Sequence, residues 1–424
     1  MKKHKIAIMG FGTVGGGTYD ILTQNRDHIR STQGVDIEVK YVLDRSAESL
    51  EKRGADKSLF CSDVDALAAD KEVELVVETM GGVEPAKTFI TKMLRAGKSV
   101  VTANKELLAK SWSELEPIAK ENGCGLFFEA SCVGGVPIVR ALGESFQGDK
   151  VQSIYGIING TTNYILSKMS AEGVSYSQAL AQAQALGFAE ANPTSDVEGY
   201  DAAYKLSILG SLAFHTSLPY QSIYREGITR VTAADIVNAK RLGYEIKLLA
   251  IGKRCGNDIE ARVHPVFVEK NHPLASVSGA FNAVYLHGDF VGDLMFYGAG
   301  AGAHPTGSAI VSDIVKALCG KPTYCDFDNN GKLDKSVNLV GDFLSGYYIC
   351  VTVDDKAGVL SRISTILSDN GVSIKAATQV PSDGNAATVV FLTHPSREHS
   401  VMRSLESIGK LASVRNIDSV IRVL

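Results

Sequence analysis

The hexapeptide Gly10-Phe11-Gly12-Thr13-Val14-Gly15 follows directly on an apolar run at residues 5–9 and opens a helical pattern over residues 13–24. A GxGxxG turn between a strand and a helix leaves a chain few alternatives. Gly10 allows the tight turn, Gly12 lets the backbone approach a pyrophosphate, and Gly15 lets the helix pack on the strand. The helix N-terminus behind the turn attracts phosphate. The plainer alternative is a glycine-rich turn with no ligand. Further apolar runs lie at residues 37–43, 73–78, 99–103 and 125–128, with helical patterns at 85–96 and 106–122 between them. Short buried strands alternating with helices predict a parallel sheet covered on both faces.

The 424 residues suggest several domains, at roughly 100–200 residues each. Hydrophobic residues make up 45% and charged residues 21%, enough to build buried cores. The net charge of −4 leaves no basic surplus to neutralise a phosphate backbone, which argues against a nucleic-acid partner. No apolar run reaches the roughly 18 residues of a membrane helix. The charged start, Met1-Lys2-Lys3-His4-Lys5, looks like that of a signal peptide, but the run after it enters glycines and reads as a strand. Seven cysteines without a CxxC pair argue against a disulfide framework or a cysteine zinc site, and fit a reducing cytoplasm.

Ligands of open parallel sheets bind beyond the carboxyl ends of the strands. The second strand ends in Asp44-Arg45. An acid there binds the ribose of NAD and an arginine accommodates the 2′-phosphate of NADP, so NADP or NAD stays open. The gap from the glycines exceeds the usual ~20 residues, which calls for a longer loop. The next three strands run into Glu78-Thr79-Met80-Gly81-Gly82, Thr102-Ala103-Asn104-Lys105 and Glu129-Ala130-Ser131-Cys132-Val133-Gly134-Gly135, which together line one crevice. Lys105 is either a cation facing the cofactor or a solvated lysine at a helix start, where the helix dipole disfavours it.

From about 137 to 325 helical patterns (177–186, 201–214) mix with strand patterns (151–158, 258–268), an α+β region with its own sheet. Asp201 and Lys205 are four apart and so share a helix face. On so apolar a helix they are either an ion pair or a site, and a lysine whose pKa burial lowers serves as a general acid. Residues 326–336 are polar and read as a linker. Beyond them the order of elements is βαββαβ, with a turn at 382–385, a ferredoxin-like plan whose edges pair between chains.

The segment Asn159-Gly160-Thr161-Thr162-Asn163-Tyr164-Ile165-Leu166 and the pattern AxxxGFAExNPxxDxxGxDxxxK from Ala183 to Lys205 resemble the homoserine dehydrogenase family. The resemblance spans the whole chain, and the tail resembles an ACT domain. It implies a Rossmann-type NAD(P)-binding domain over 1–136, a catalytic and dimerisation domain over 137–325, a linker over 326–347 and an ACT regulatory domain over 348–424. The chain would return to the cofactor near 298–320.

The implied activity is the reversible NADP- or NAD-dependent reduction of aspartate 4-semialdehyde to homoserine, in threonine, methionine and isoleucine biosynthesis. By motif position, Lys205 is implied as proton donor to the carbonyl oxygen, with Lys105 assisting there or touching the nicotinamide. Asp201 and Glu190 would hold the substrate, Glu190 accepting from its ammonium group, with Asp196 and Thr161 beside them. Cofactor contacts would come from Gly10, Phe11, Gly12, Thr13, Val14, Gly15, Arg45, Gly81, Lys105 and Gly302. Gly302 closes Tyr297-Gly298-Ala299-Gly300-Ala301-Gly302, which resembles the family's late glycine loop and otherwise reads as a flexible linker. The family also binds Na⁺ or K⁺. Its ligands here would be Glu129 and the carbonyls of Cys132, Gly134 and Val136, hard oxygen donors for a hard cation. Cys132 and Val133 depart slightly from the family's pattern.

The ACT resemblance implies a homodimer or homotetramer and feedback by threonine near Asp354-Asp355-Lys356-Ala357-Gly358, the alternative being a module that only dimerises. Two rival readings remain at this stage. An acylating semialdehyde dehydrogenase would need Cys132 as nucleophile. A non-catalytic amino-acid sensor would leave the lysines and carboxylates unexplained.

Overall fold

Strand β1 (Lys3–Met9) buries Ile6, Ala7, Ile8 and Met9 completely. Ile6 and Ile8 join one core cluster with Leu22 and Ile310, whereas Ala7 and Met9 join another with Ile90 and Leu107. Alternate residues point to opposite faces, and both faces are covered, as a parallel sheet requires. With β2 (Asp36–Leu43), β3 (Phe60–Cys61), β4 (Val73–Glu78), β5 (Ser99–Thr102) and β6 (Leu126–Phe127) it forms a six-stranded parallel sheet in the order β3-β2-β1-β4-β5-β6. The order reverses between β1 and β4, where a ligand crevice opens. The structure is a computed structural model that describes residues 2–325, 337–381 and 385–424. The expected linker at 326–336 and the turn residues 382–384 lie outside the described residues.

The middle of the chain adds β7 (Val151–Ile157), β8 (Tyr224–Arg225), β9 (Tyr244–Cys255), β10 (Asp258–Glu269), β11 (Phe281–Gly288) and β12 (Gly292–Ala299). The helix Ala303–Cys319 then crosses back to the first unit and packs on the helix Thr13–Gln24. Small residues allow this: a Cβ on Gly17 would lie 2.3 Å from the Ala303 carbonyl, and one on Gly307 would lie 2.9 Å from the Thr18 nitrogen. Among the described residues no helix is long and apolar enough to cross a membrane.

The tail folds as predicted, through β13 (Leu344–Asp354), β14 (Ile374–Pro381), β15 (Ala386–Thr393), the short β16 (Ser396–Arg397) and β17 (Val414–Val423), with helices Val359–Asp369 and Glu398–Gly409. Its relation to the middle differs from the expectation of a separate sheet. Strand β17 pairs in parallel with β10 through Val266↔Arg422 and Phe267↔Val423, so eleven strands join into one sheet. An edge strand carries unpaired N–H and C=O groups, and here the same chain satisfies them. Residues 338–340 run alongside, exchanging backbone hydrogen bonds with Ile259.

A buried charge cluster seals this seam. Arg422 donates to Glu398 at 2.6 Å within the tail, and to Glu226 at 2.7 Å and Tyr224 at 2.9 Å in the middle region. Beside it the buried Arg262 pairs with Glu260 at 2.7 Å and lies 2.6 Å from His264 Nε2. Burial and the two guanidiniums hold the His264 pKa well below its usual value. A guanidinium only donates, so Nε2 accepts from Arg262, and Nδ1 is left to donate to the Pro265 carbonyl at 2.9 Å. Removing one partner of such a cluster leaves a buried charge uncompensated. We predict that Glu398→Ala lowers stability by about 3 kcal/mol in urea unfolding, and that Arg422→Met in the same chain restores part of the loss. A change under about 0.5 kcal/mol would show that the seam does not depend on this pair.

Candidate active site

The glycine turn has the form a pyrophosphate needs. A Cβ on Gly15 would lie 2.0 Å from the Gly10 carbonyl, so only glycine lets the helix Thr13–Gln24 start this close to β1. Gly12, in contrast, has nothing within 4 Å of its Cβ position and leaves the face of the turn open. It caps the helix without a side chain, and Thr13 and Val14 begin the first turn, whose N–H groups an anion can take up. Phe11 is buried, and its N–H donates to Asp44 at 2.9 Å. The other Asp44 oxygen accepts from the Arg45 N–H at 2.6 Å. The aspartate is thus tied to local backbone, while Arg45, Lys52 and Arg53 line a cleft of about 360 Å³ beside Gly12.

The lysines meet in the crevice. Asn104 caps the helix Lys105–Glu121, accepting from the Leu107 N–H at 3.1 Å, and so fixes Lys105 at the first helical position. Asn104 also donates to the Gly82 carbonyl at 2.6 Å. The fully buried Glu78 accepts from the N–H groups of Met80 and Gly81 and from Thr102, tying two strand ends together. Lys105 Nζ lies 3.4 Å from one oxygen of Asp201, and Lys205 Nζ lies 2.7 Å from the other. Lys205 donates also to the Ile158 carbonyl at 2.7 Å, at the end of β7. Its side chain is 10% exposed, against 43% for Lys105, so one ammonium sits at the floor and the other at the mouth. Burial alone would push Asp201 up, but the two ammonium groups outweigh it and hold the carboxyl well below the usual range. The Asp201 charge in turn raises Lys105 against the effect of burial.

Asn159 completes the group. Its amide donates to Asp196 at 2.7 Å and to Asp201 at 2.9 Å, while its oxygen caps the helix Gly160–Glu172. Burial and the Asp201 charge raise the Asp196 carboxyl. The sequence reading placed Asn159 only inside a motif. Its signal was the cap pattern, an asparagine between a strand and a helix. Thr161 is close by in sequence but donates its hydroxyl to the Phe188 carbonyl at 2.6 Å. Glu190 is exposed, and its carboxylate has no partner among the described residues.

Glu129 is buried where the two units meet. It accepts from the N–H groups of Val139 at 3.0 Å and Arg140 at 2.7 Å. Burial pushes its pKa up to about 7, the Asp313 charge adding to the effect and the two N–H groups opposing it. After it the backbone passes through left-handed geometry at Val133 (φ 57°) and Gly134 (φ 55°). Within this loop the Val133 carbonyl accepts from the Val136 N–H at 3.1 Å and the Val136 carbonyl from the Ile138 N–H at 2.8 Å. Cys132 is fully buried with its thiol pushed up to about 12, chiefly by that burial, so it offers no thiolate to a substrate. The acylating rival thereby loses its nucleophile. Gly81 (φ 75°) lies just beyond the end of β4, and Gly302 (φ 129°) caps the returning helix.

A doubly wound sheet with an open glycine turn, beside two lysines on one carboxylate, defines a nicotinamide-dependent oxidoreductase. Family models agree. Residues 10–129 match the homoserine dehydrogenase NAD-binding domain, 137–315 the homoserine dehydrogenase domain and 347–410 the ACT domain. The chain is 39% identical to homoserine dehydrogenase of Bacillus subtilis, covering 100% of this chain and 99% of that one. It is 41% identical to that of Synechocystis, covering 99% of each. A homoserine dehydrogenase structure from Thiobacillus denitrificans superposes with a TM-score of 0.94 at 37% identity, over 100% of this chain and 99% of that one. A hyperthermophilic archaeal homoserine dehydrogenase in complex with NADPH matches 76% of this chain and 100% of its own, with a TM-score of 0.66 at 30% identity. The chain belongs to the homoserine dehydrogenase family.

The raised Glu129 pKa carries a sign. Between its usual 4.5 and about 7 the folded state holds a proton the unfolded state has lost, so Glu129 loses its stabilising contribution as pH rises through that window. In buffer free of Na⁺ and K⁺, the melting temperature of Glu129→Gln minus that of the wild type should grow more positive from about pH 5 to about pH 8. A flat difference would remove the shift.

Proposed function

We propose that the chain reduces L-aspartate 4-semialdehyde to L-homoserine reversibly, with Lys205 as the acid or base at the carbonyl oxygen. The observation that supports this most is the convergence of the Lys105 and Lys205 ammonium groups on Asp201. The nicotinamide, when bound, supplies or accepts the hydride. As negative charge grows on the aldehyde oxygen, that oxygen needs a cation and a proton source. Two of the three Lys205 N–H bonds are directed to Asp201 and Ile158, which leaves one for the substrate. Asp201 orients both ammonium groups, and Lys105 holds the oxygen or the carboxamide from the mouth. Glu190, exposed and unpaired among the described residues, accepts from the substrate ammonium at the rim, with Asp196 and Thr161 on the inner side.

The phosphates lie on the turn from Gly10 to Gly15, with Gly81 and Gly302 bounding the crevice. Because Asp44 is already occupied by two backbone N–H groups, Arg45 favours NADP over NAD. Glu129 and the carbonyls of Cys132, Gly134 and Val136 hold Na⁺ or K⁺. The tail domain regulates turnover, with threonine as effector near the loop 354–358. The exposed, stacked Phe281 and Tyr297 on the β11–β12 hairpin support assembly as a homodimer or homotetramer, in the cytoplasm.

The deciding experiment is NADPH and NADH oxidation with aspartate semialdehyde, run with and without Na⁺ or K⁺ and threonine. No oxidation of either cofactor would sink the reading. Lys205→Ala should lower turnover by about 10²-fold or more, and turnover within a few-fold of wild type would remove Lys205 from the acid role. Arg45→Ala should raise the KM for NADPH by about tenfold and leave that for NADH nearly unchanged. Equal effects on both would return the choice of cofactor to an open question.

A further inference from the structure

Strand β11 carries one buried polar side chain that the chemistry above does not use. Asn282 is 1% exposed, and among the described residues neither its Nδ2 nor its Oδ1 has a hydrogen-bond partner. Buried amides are almost always paired, so an orphan on both atoms needs a physical account. Its surroundings supply one. A Cβ on Gly300 would lie 2.1 Å from Asn282 Cγ, so the amide rests directly on the backbone of the loop 298–302. A Cβ on Gly134 would lie 2.6 Å from Gly300, and the Gly135 N–H donates to the Ala299 carbonyl at 3.1 Å. On the other side, Asn282 Oδ1 lies 3.5 Å from the Cβ position of Gly160. Gly160 directly follows Asn159, the residue that bridges Asp196 and Asp201.

One layer thus runs from the loop after Glu129, through Gly300 and Asn282, to the start of the helix beside the lysine cluster. Gly300 offers the amide nothing but backbone N–H and C=O groups. Glycines let such a loop shift without side-chain cost. We propose that Asn282 is a positioning residue: its amide pairs with the backbone of the loop 298–302 when cofactor and aldehyde are both seated, and so sets the loop against the nicotinamide. This rests on the reduction proposed above. A bond made only in the reacting complex raises kcat more than it tightens ground-state binding.

The test uses the full-length enzyme and two variants. Asn282→Leu keeps similar volume but no polar atoms, and Asn282→Ser keeps a hydroxyl. Melting temperature, NADPH affinity by fluorescence, kcat and KM are measured for each beside the wild type. Asn282→Leu should melt no lower than wild type, since it removes an unpaired buried amide. Its NADPH affinity should stay within about twofold while kcat falls about tenfold or more, and Asn282→Ser should recover part of that fall. A leucine variant with kcat within about twofold of wild type overturns the proposal. So does one that melts lower and loses kcat with no recovery by serine, because the amide is then structural and paired to a fixed water. Wild type that does not turn over the semialdehyde removes the reduction and this role together. Normal wild-type turnover with unaffected variants removes only the role of Asn282.

Discussion

A single buried carboxylate organises the centre of this protein. Asp201 is 5% exposed, and an isolated carboxylate at such depth would be strongly destabilising. It stays ionised because Lys205 and Lys105 approach its two oxygens and Asn159 donates to it as well. These partners come from three separate segments: the apolar helix Tyr200–Phe214, the end of β5 and the end of β7. Two ammonium groups are held on this one carboxylate, Lys205 at the buried end of the pocket and Lys105 at its mouth. Charge placed in advance where an oxyanion will form needs no rearrangement during reaction. The arrangement that keeps Asp201 ionised is therefore also what makes the site suited to carbonyl reduction.

That arrangement works only if the nucleotide unit and the catalytic sheet hold a close, fixed separation. Glycines provide it at successive contacts, where the helix Ala303–Cys319 meets the helix Thr13–Gln24 and where Gly134 meets Gly300. A methyl group at any of these contacts would push the two units apart, and Lys105 with them. The crossing helix also explains why the chain returns to its first unit after building most of the second sheet.

The second buried charge cluster does a different job. Arg422, Glu398, Glu226 and Tyr224 join the tail to the catalytic sheet across the β10–β17 pairing. Such a cluster offers little net stability over an apolar seam, but it admits few alternative registers. The same contacts lead inward. Gly227 packs within 2.3 Å (from its Cβ position) of the Val197 carbonyl, one residue after Asp196. Gly227 directly follows Glu226, so the seam and the segment of Asp196 are separated by one backbone contact.

Much of this could be read without coordinates. The alternation of strands and helices, the turn from Gly10 to Gly15 and the βαββαβ tail are local patterns, set by backbone sterics and by residues close in sequence. So was the pairing of Asp201 with Lys205, four residues apart on one helix face. The approach of Lys105 to the same carboxylate was not, because its 96-residue neighbour in sequence becomes a neighbour in space only when two sheets pack. For the same reason the motif at Asn159 gave no sign that its amide bridges two aspartates, Asp44 read as a ribose ligand without the Phe11 and Arg45 N–H groups that hold it, and the middle region read as having a sheet of its own. Periodicity and capping are decided within a few residues and are written in the chain. Which charge is buried against which, and which strand edge is taken, follow from long-range packing and exist only once the whole molecule has folded.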